Sequence, residues 1–518
     1  MPSPQPNIGP GAWHQFSRRF WCVLVVAAVG TGLAAGLLMQ LLHVVQLLAW
    51  GKGSGDFLDA VEQTDAMHRV AVVAGAGVLV VATRLLLQLR GSGHGGELAA
   101  AIWFRAGHLP VLRTLLNAVT SIVIVGLGAS LGREAAPKQT GALFAGLLAH
   151  WASLSPPQRR LLAACGAGAG IGAVYNVPFG GALFSLEVLL GTLSFSLVAP
   201  ALAASLIATA CAWLLLPDQP TYHVSPYPMT PQLLAWAAIA GPVLGLVSAL
   251  YVRLICWVDA QKPTGWRMFA VPVLVFAALG GAAVWFPQLL GNGKDAVQLA
   301  FTGLLPLLLA LCLAVLKPVA TAACLGSGAP GGLFTPTLTL GALLGAAGGQ
   351  AWALLWPGAP SEPGAYALIG AGAVLAASTQ GPVSAVVLLL ELTRQVDATM
   401  VSLMLAVAGA MLAARSMETR SIYSGRIHTA RNTVLESQGT AISAAARVPE
   451  VLREFVRWPG RELDVIDQDG RLLGLLTGER ALDGIDDLRP GAIVTARDLL
   501  QPEMQRASIL PSERLRSS

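Results

Sequence analysis

Long apolar runs with almost no charge occupy most of this chain: 20–48, 70–89, 115–131, 197–216, 233–254, 268–285, 304–316 and 401–414. A helix crosses the hydrocarbon core of a bilayer with about 20 apolar residues, and these runs meet or approach that length. Charge is concentrated at the far end. Residues 415–518 hold 15 of the 33 Lys and Arg and 15 of the 28 Asp and Glu, which leaves 18 and 13 for the first 414 residues. An ordinary soluble domain carries about 25% charged residues, against 12% for this whole chain. A large membrane body and a small charged tail follow, in place of several soluble domains. The net charge of +5 lies entirely in the body. It forms no basic run of the kind nucleic acid attracts, so no nucleic-acid partner is expected, and the cation excess suits membrane edges.

Arg18 and Arg19 precede the first run and place the amino terminus in the cytoplasm, whereas 217–232 lacks Lys and Arg and reads as external. The first run is too long for a cleaved signal. The expectation is a multi-pass protein of the cell (inner) membrane with both termini cytoplasmic. Residues 1–19 form an amino-terminal segment, 20–425 the membrane domain in halves 20–216 and 233–425, and 426–518 a tail.

Between the long runs lie shorter apolar pieces at 141–152, 160–174, 179–190, 338–356, 364–377 and 382–393, mostly below spanning length and broken by Gly and Pro. Broken helices survive at membrane depth only where protein or a polar cavity covers their ends. They also repeat. GAGAGIGAVYNVPFGGALFSLE (166–187) and GAGAVLAASTQGPVSAVVLLLE (370–391) align Gly, Pro and Glu at one offset of 204, and GREAAP (132–137) aligns with GGLFTP (331–336) at 199. An odd number of crossings per half inverts one half relative to the other, a transporter plan with its site where the repeats meet.

In each half a small-residue loop leads through Pro into an apolar helix. Such a helix start carries unpaired N–H groups and a positive dipole end, which makes it an anion site. The apolar spans hold no Asp of the sort a cation carrier needs. Glu134 stands at one start, where a buried charge is costly. It is either a loop clamp ion-paired to Arg133 or Lys138, or a tethered carboxylate that competes with a free anion for one place. Ser92 in GSGHGG and Tyr423 offer hydroxyl donors, although GSG by itself usually marks a turn and Tyr423 by itself reads first as an interfacial anchor. Glu187 and Glu391 end half-helices as structural carboxylates or proton carriers, and Lys317 is expected to snorkel to the interface. The six cysteines show no ligand spacing and no metal cluster or cofactor motif is present.

Together GSGHGG, GREAAP, YNVPFGGALFSLE (175–187), GSGAPGGLFTP (326–336) and Tyr423 resemble the CLC family of chloride channels and chloride/proton antiporters, over about 20–425. The resemblance implies an all-α membrane fold, a CLC-like inverted repeat of broken transmembrane helices, and a homodimer with one ion pathway per subunit. It implies chloride held by backbone N–H groups near Leu333 and Phe334 and by the hydroxyls of Ser92 and Tyr423. Glu134 then matches the gating residue, with Gly91, Gly93, Gly132, Arg133, Ala135 and Gly332 in the pathway loops. Two motifs depart from the family pattern: GSGHG stands for GSGIP, and GREAAP for GREGP, with Lys138 added. The family's inner proton-carrying glutamate follows another glutamate; here Glu187 matches the preceding one and Val188 occupies the proton position. Channel-like or weakly coupled chloride transport is therefore expected over strict chloride/proton antiport through Glu187 or water, with a non-conducting membrane sensor or scaffold as the third reading. An enzyme is not expected.

The tail reads as helix, strand, Asp-Gly turn, strand and helix, a small α/β unit that resembles a single or partial CBS-type unit.

Overall fold

The computed structural model describes residues 16–51, 56–90, 98–224, 227–356, 363–394, 400–426, 441–457, 463–466, 472–476, 495, 496 and 499. The chain divides into a large unit, Ile8–Arg426, and a small one that contains Ile427–Ser518.

In the large unit the expected runs become α1 (Arg18–Trp50), α2 (Phe57–Glu62), α3 (Ala66–Leu89), α4 (Leu98–Phe104), α5 (Val111–Gly126), α6 (Ala135–Trp151), α7 (Pro156–Tyr175) and α8 (Pro178–Leu183), which continues as π-helical turns over Phe184–Leu190. Then follow α9 (Phe195–Ala212), α10 (Pro231–Ala260), α11 (Arg267–Ala282), α12 (Lys294–Phe301), α13 (Leu307–Gly326), α14 (Phe334–Leu355), α15 (Pro363–Thr379), α16 (Pro382–Thr393) and α17 (Met400–Ser416). Local chemistry sets several starts. The Ser17, Asp65 and Thr230 side chains accept N–H bonds from Phe20, His68 and Leu233 at 3.1–3.2 Å, the usual use of these residues at a helix N-cap. Six helices among the described residues are long and apolar enough to cross a membrane: α1, α3, α9, α10, α13 and α14.

The last of these corrects the sequence reading, which placed 338–356 among the short pieces. Thr335, Thr337 and Thr339 dilute its apolar run. Inside the helix the hydroxyls of Thr337 and Thr339 bond back to the carbonyls of Leu333 and Thr335 at 2.6 and 2.8 Å, so they cost little in an apolar setting. Lys317 is a second correction. It sits within α13, 1% exposed, and points inward. Nζ donates to the carbonyls of Leu289 and Gly291 at 2.9 and 3.0 Å, with those of Gln288 and Leu290 at 3.4 and 3.5 Å. Four converging carbonyl oxygens replace the water that snorkelling would have sought.

The repeat is visible in the packing. α1 lies on α6, α7 and α9, as α10 lies on α14, α15 and α17. A Cβ on Gly141 of α6 would meet the carbonyl of Gly166 in α7, and one on Gly341 of α14 would meet that of Gly370 in α15. The same close helix contact thus recurs in both halves, of the small-residue kind that membrane helices use. The short helices α8 and α16 touch across the repeat. Val383 and Ser384 N–H, at the start of α16, donate to Glu187 at 3.2 and 2.6 Å. Phe179 and Gly180 N–H, at the start of α8, donate to Glu391 at 3.1 and 2.7 Å. Each half-helix ends in the carboxylate that caps the other's beginning, so the two run antiparallel. Trp151, Trp213, Trp266 and Trp285 stand exposed at helix ends, where an amphipathic ring suits a membrane interface.

In the small unit, β1 (Ala441–Ser443) leads through α18 (Val448–Arg457) to β2 (Leu463–Ile466), and β3 (Leu472–Leu476) follows. β1 and β2 are parallel, β2 and β3 antiparallel. Ile442, Val451, Leu463, Val465, Leu476, Ala496 and Leu499 form its core. The expected Asp-Gly turn, Asp469–Gly470, lies outside the described residues.

Candidate anion site at the meeting of two helix starts

The two loops singled out by GREAAP and GGLFTP meet. Gly132 and Gly332 exchange backbone hydrogen bonds of 2.8 Å in both directions, which fixes the start of α6 against the start of α14. Space explains the glycines: a Cβ on either would run into the Glu134 carboxyl. Pro137 and Pro336 are the third residues of α6 and α14, still within the turn whose N–H groups have no partner in the helix.

Glu134 is the N-cap residue of α6, yet its side chain caps nothing on that helix. It is fully buried and crosses to the second half. Phe334 N–H donates to Oε1 at 2.7 Å. The Tyr175 and Thr335 hydroxyls lie 3.2 Å from Oε2 and 2.7 Å from each other. With one proton apiece they satisfy two of these three contacts at a time. Phe334 opens α14, so the carboxylate rests on unpaired N–H groups at a positive dipole end. That place favours any anion, and a side chain fills it. The position that corresponds to Glu134 in the other half is Leu333, so the carboxylate that rests on the start of α14 has no counterpart from that half.

No Lys or Arg nitrogen lies within 4.0 Å of this carboxylate among the described residues, so the clamp by Arg133 or Lys138 is not formed. The Arg133 guanidinium lies over the Tyr175 ring, 5.0 Å from its centre. Lys138, one turn along α6, is buried. Its Nζ donates to Tyr423 Oη at 3.4 Å and faces the rings of Tyr423 and Phe184 at 4.7 and 5.5 Å.

The structure therefore brings Glu134, Gly132, Gly332, Leu333 and Phe334 together, with Ala135 opening α6 beside them. Tyr423 is packed edge-on against Phe184 and joined to Lys138, away from the carboxylate's own contacts. Gly91, Ser92 and Gly93 lie outside the described residues. Glu187 is occupied at the start of α16, and Val188 is buried beside Gly381. Sequence reasoning missed Tyr175 and Thr335. Their only signals were positional: Tyr175 is the last residue before the Asn-Val-Pro break, and Thr335 lies inside GLFTP.

Inverted halves of broken helices, joined where a buried carboxylate rests on a helix start, define the class of membrane transport proteins built on an inverted repeat. Comparison with known proteins narrows the class. The chain belongs to the voltage gated chloride channel family, whose family model matches residues 70–415. It is 30% identical over 402 residues to a ClcB-like chloride channel protein of Ralstonia nicotianae, covering 75% of this chain and 92% of that one. It is 28% identical over 426 residues to the voltage-gated ClC-type chloride channel ClcB of Escherichia coli, covering 79% and 99%. The fold is shared with a slow cyanobacterial Cl−/H+ antiporter (TM-score 0.72, 20% identity, 82% of this chain and 100% of that one). It is shared also with a CLC-type fluoride/proton antiporter (TM-score 0.62, 18% identity, 80% and 99%).

Proposed function

We propose that this protein moves chloride across the cell (inner) membrane through a pathway that the Glu134 side chain closes when ionised and opens when protonated or displaced. The observation that carries this reading is the Glu134 carboxylate on the Phe334 N–H. A chloride ion seeking the same donors must replace it. The N–H groups of Leu333 and Phe334 then bind the anion, with hydroxyls of Ser92 and Tyr423 further along. Family membership and the relatives' description as chloride channels support chloride as the anion.

Transport is channel-like or weakly coupled to protons. Val188 carries no proton, and Glu187 is committed to two N–H groups of α16, a structural task that the repeat duplicates in Glu391. A homodimer with both termini in the cytoplasm belongs to the same proposal; Arg18 and Arg19 support the placement of the amino terminus.

Liposomes loaded with chloride, with anion and proton flux recorded together at several pH values, test it. Chloride efflux that rises on acidification with little proton movement is expected. Chloride-driven proton uptake abolished by Glu134→Gln would replace this reading with coupled antiport. Absence of anion flux in both wild type and Glu134→Ala would end the transport reading.

A further inference from the structure

Two lysines are buried among the described residues of the membrane unit, and they are treated differently. Lys317 spends its donors on four carbonyl oxygens. Lys138, 5% exposed, has one hydrogen-bond partner among the described residues, the Tyr423 hydroxyl at 3.4 Å. No carboxylate lies within 4.0 Å of it among those residues. An ammonium has three donors, and burying one without a counter-charge is costly. The aromatic faces of Tyr423 and Phe184 compensate in part but leave the remaining donors without an acceptor among the described residues.

Lys138 and Tyr423 also line a cavity of about 260 Å³ that reaches Gly332 and Leu333 at the start of α14. Arg84, Arg113, Lys262 and Arg426 share its wall, and the described lining contains no Asp or Glu. Asp259 pairs with both Lys262 and Arg426 from outside the lining, at 2.7 and 3.0 Å, one negative charge against two positive. The Nη1 of Arg84 is buried without an acceptor. Among the described residues the cavity wall is thus rich in cationic side chains, with Lys138 the buried one that lacks a carboxylate partner.

We propose that Lys138 Nζ is a further ligand of the anion served by the Tyr423 hydroxyl, so that this position of the pathway has a full side-chain charge as its partner. It lies one helical turn along α6 from Glu134, where neighbouring side chains are about 5–6 Å apart. The inference rests on the anion-pathway reading above and adds to it the residue that sets affinity. Backbone dipoles alone hold an anion loosely. A fixed ammonium raises its occupancy at low concentration and slows its release, and it bars cations from the pathway. The chemistry fits a monovalent halide or an anion of similar size.

Titration of purified full-length protein with chloride and bromide tests the assignment, on wild type, Lys138→Met and Lys138→Arg. Lys138→Met is expected to weaken anion binding by about tenfold or more, while Lys138→Arg, which keeps the charge, stays near wild type. In crystals of the wild-type protein, the anomalous signal of bromide is expected within hydrogen-bond reach of Nζ, a readout that needs no variant to fold. Binding by Lys138→Met equal to wild type, or bromide elsewhere in the pathway with none beside Nζ, would overturn the role of Lys138 and leave the transport reading standing. Wild type that neither binds nor moves anions would overturn both.

Discussion

Glu134→Gln removes one negative charge and keeps nearly the same shape. The 2.7 Å bond from Phe334 N–H falls from about 1.5–3 kcal/mol, the range for a charged acceptor, to about 0.5–1.5 for a neutral one. Loss of the carboxylate's attraction to the start of α14 removes up to ~2 kcal/mol in a partly buried setting. The two hydroxyl contacts at 3.2 Å are long and contribute little to the difference. The sum is about 3 kcal/mol, or about a hundredfold at 1.36 kcal/mol per decade. The competition between side chain and free anion shifts by that factor toward the anion. Half-saturating chloride for efflux from liposomes, followed with a chloride electrode, is therefore expected to fall by up to about a hundredfold. The wild-type acceleration on acidification is expected to vanish, because the glutamine already has the neutral form's charge. A glutamine variant that keeps both the wild-type half-saturation and the wild-type pH response would refute the reasoning.

Gly332→Ala places a methyl group against the Glu134 carboxyl; efflux at neutral pH is expected to rise as the carboxyl is pushed off α14, and unchanged efflux would count against side-chain closure. Glu187→Gln and Glu391→Gln each weaken two N–H contacts at the start of a short helix, which lowers stability by about 1–2 kcal/mol in thermal denaturation, and similar losses are expected for both because the contacts are duplicated. In the segment after α9, Asp218 accepts from Asn176 Nδ2 at 2.6 Å and pairs with Arg394, and these partners, Asn176 first, hold its carboxyl below the usual carboxylate range. A depressed carboxylate contributes wherever it is ionised in the folded chain. The effect of Asp218→Asn on thermal stability is therefore expected to be equal at neutral and mildly acidic pH, and to disappear only below the ordinary carboxylate range.

The architecture was legible because its signals are local. Apolar length marked the spans, Pro178 and Pro382 marked helix starts, and shared offsets marked the repeat. Glu134 stood out as a carboxylate beside small residues in an apolar stretch. What was not legible depends on contacts between the halves. Nothing near Glu134 in sequence says that its acceptor atoms face Phe334, 200 residues away, and so the alternative of a clamp to Arg133 stayed open. Glu187 and Glu391 were ambiguous between structure and proton transfer for the same reason, since each is satisfied only by the other half. Lys317 was misread because snorkelling is decided by where water is, whereas four carbonyls of residues 288–291 stand closer.

The exchanged caps of α8 and α16 bear on how the chain is made. Glu187 leaves the ribosome 204 residues before Glu391, an interval of about 10–40 s at ~5–20 residues per second. Throughout that interval the nascent amino-terminal half has a bare helix end and an uncompensated acid. The caps of both short helices are completed only once translation delivers the second half.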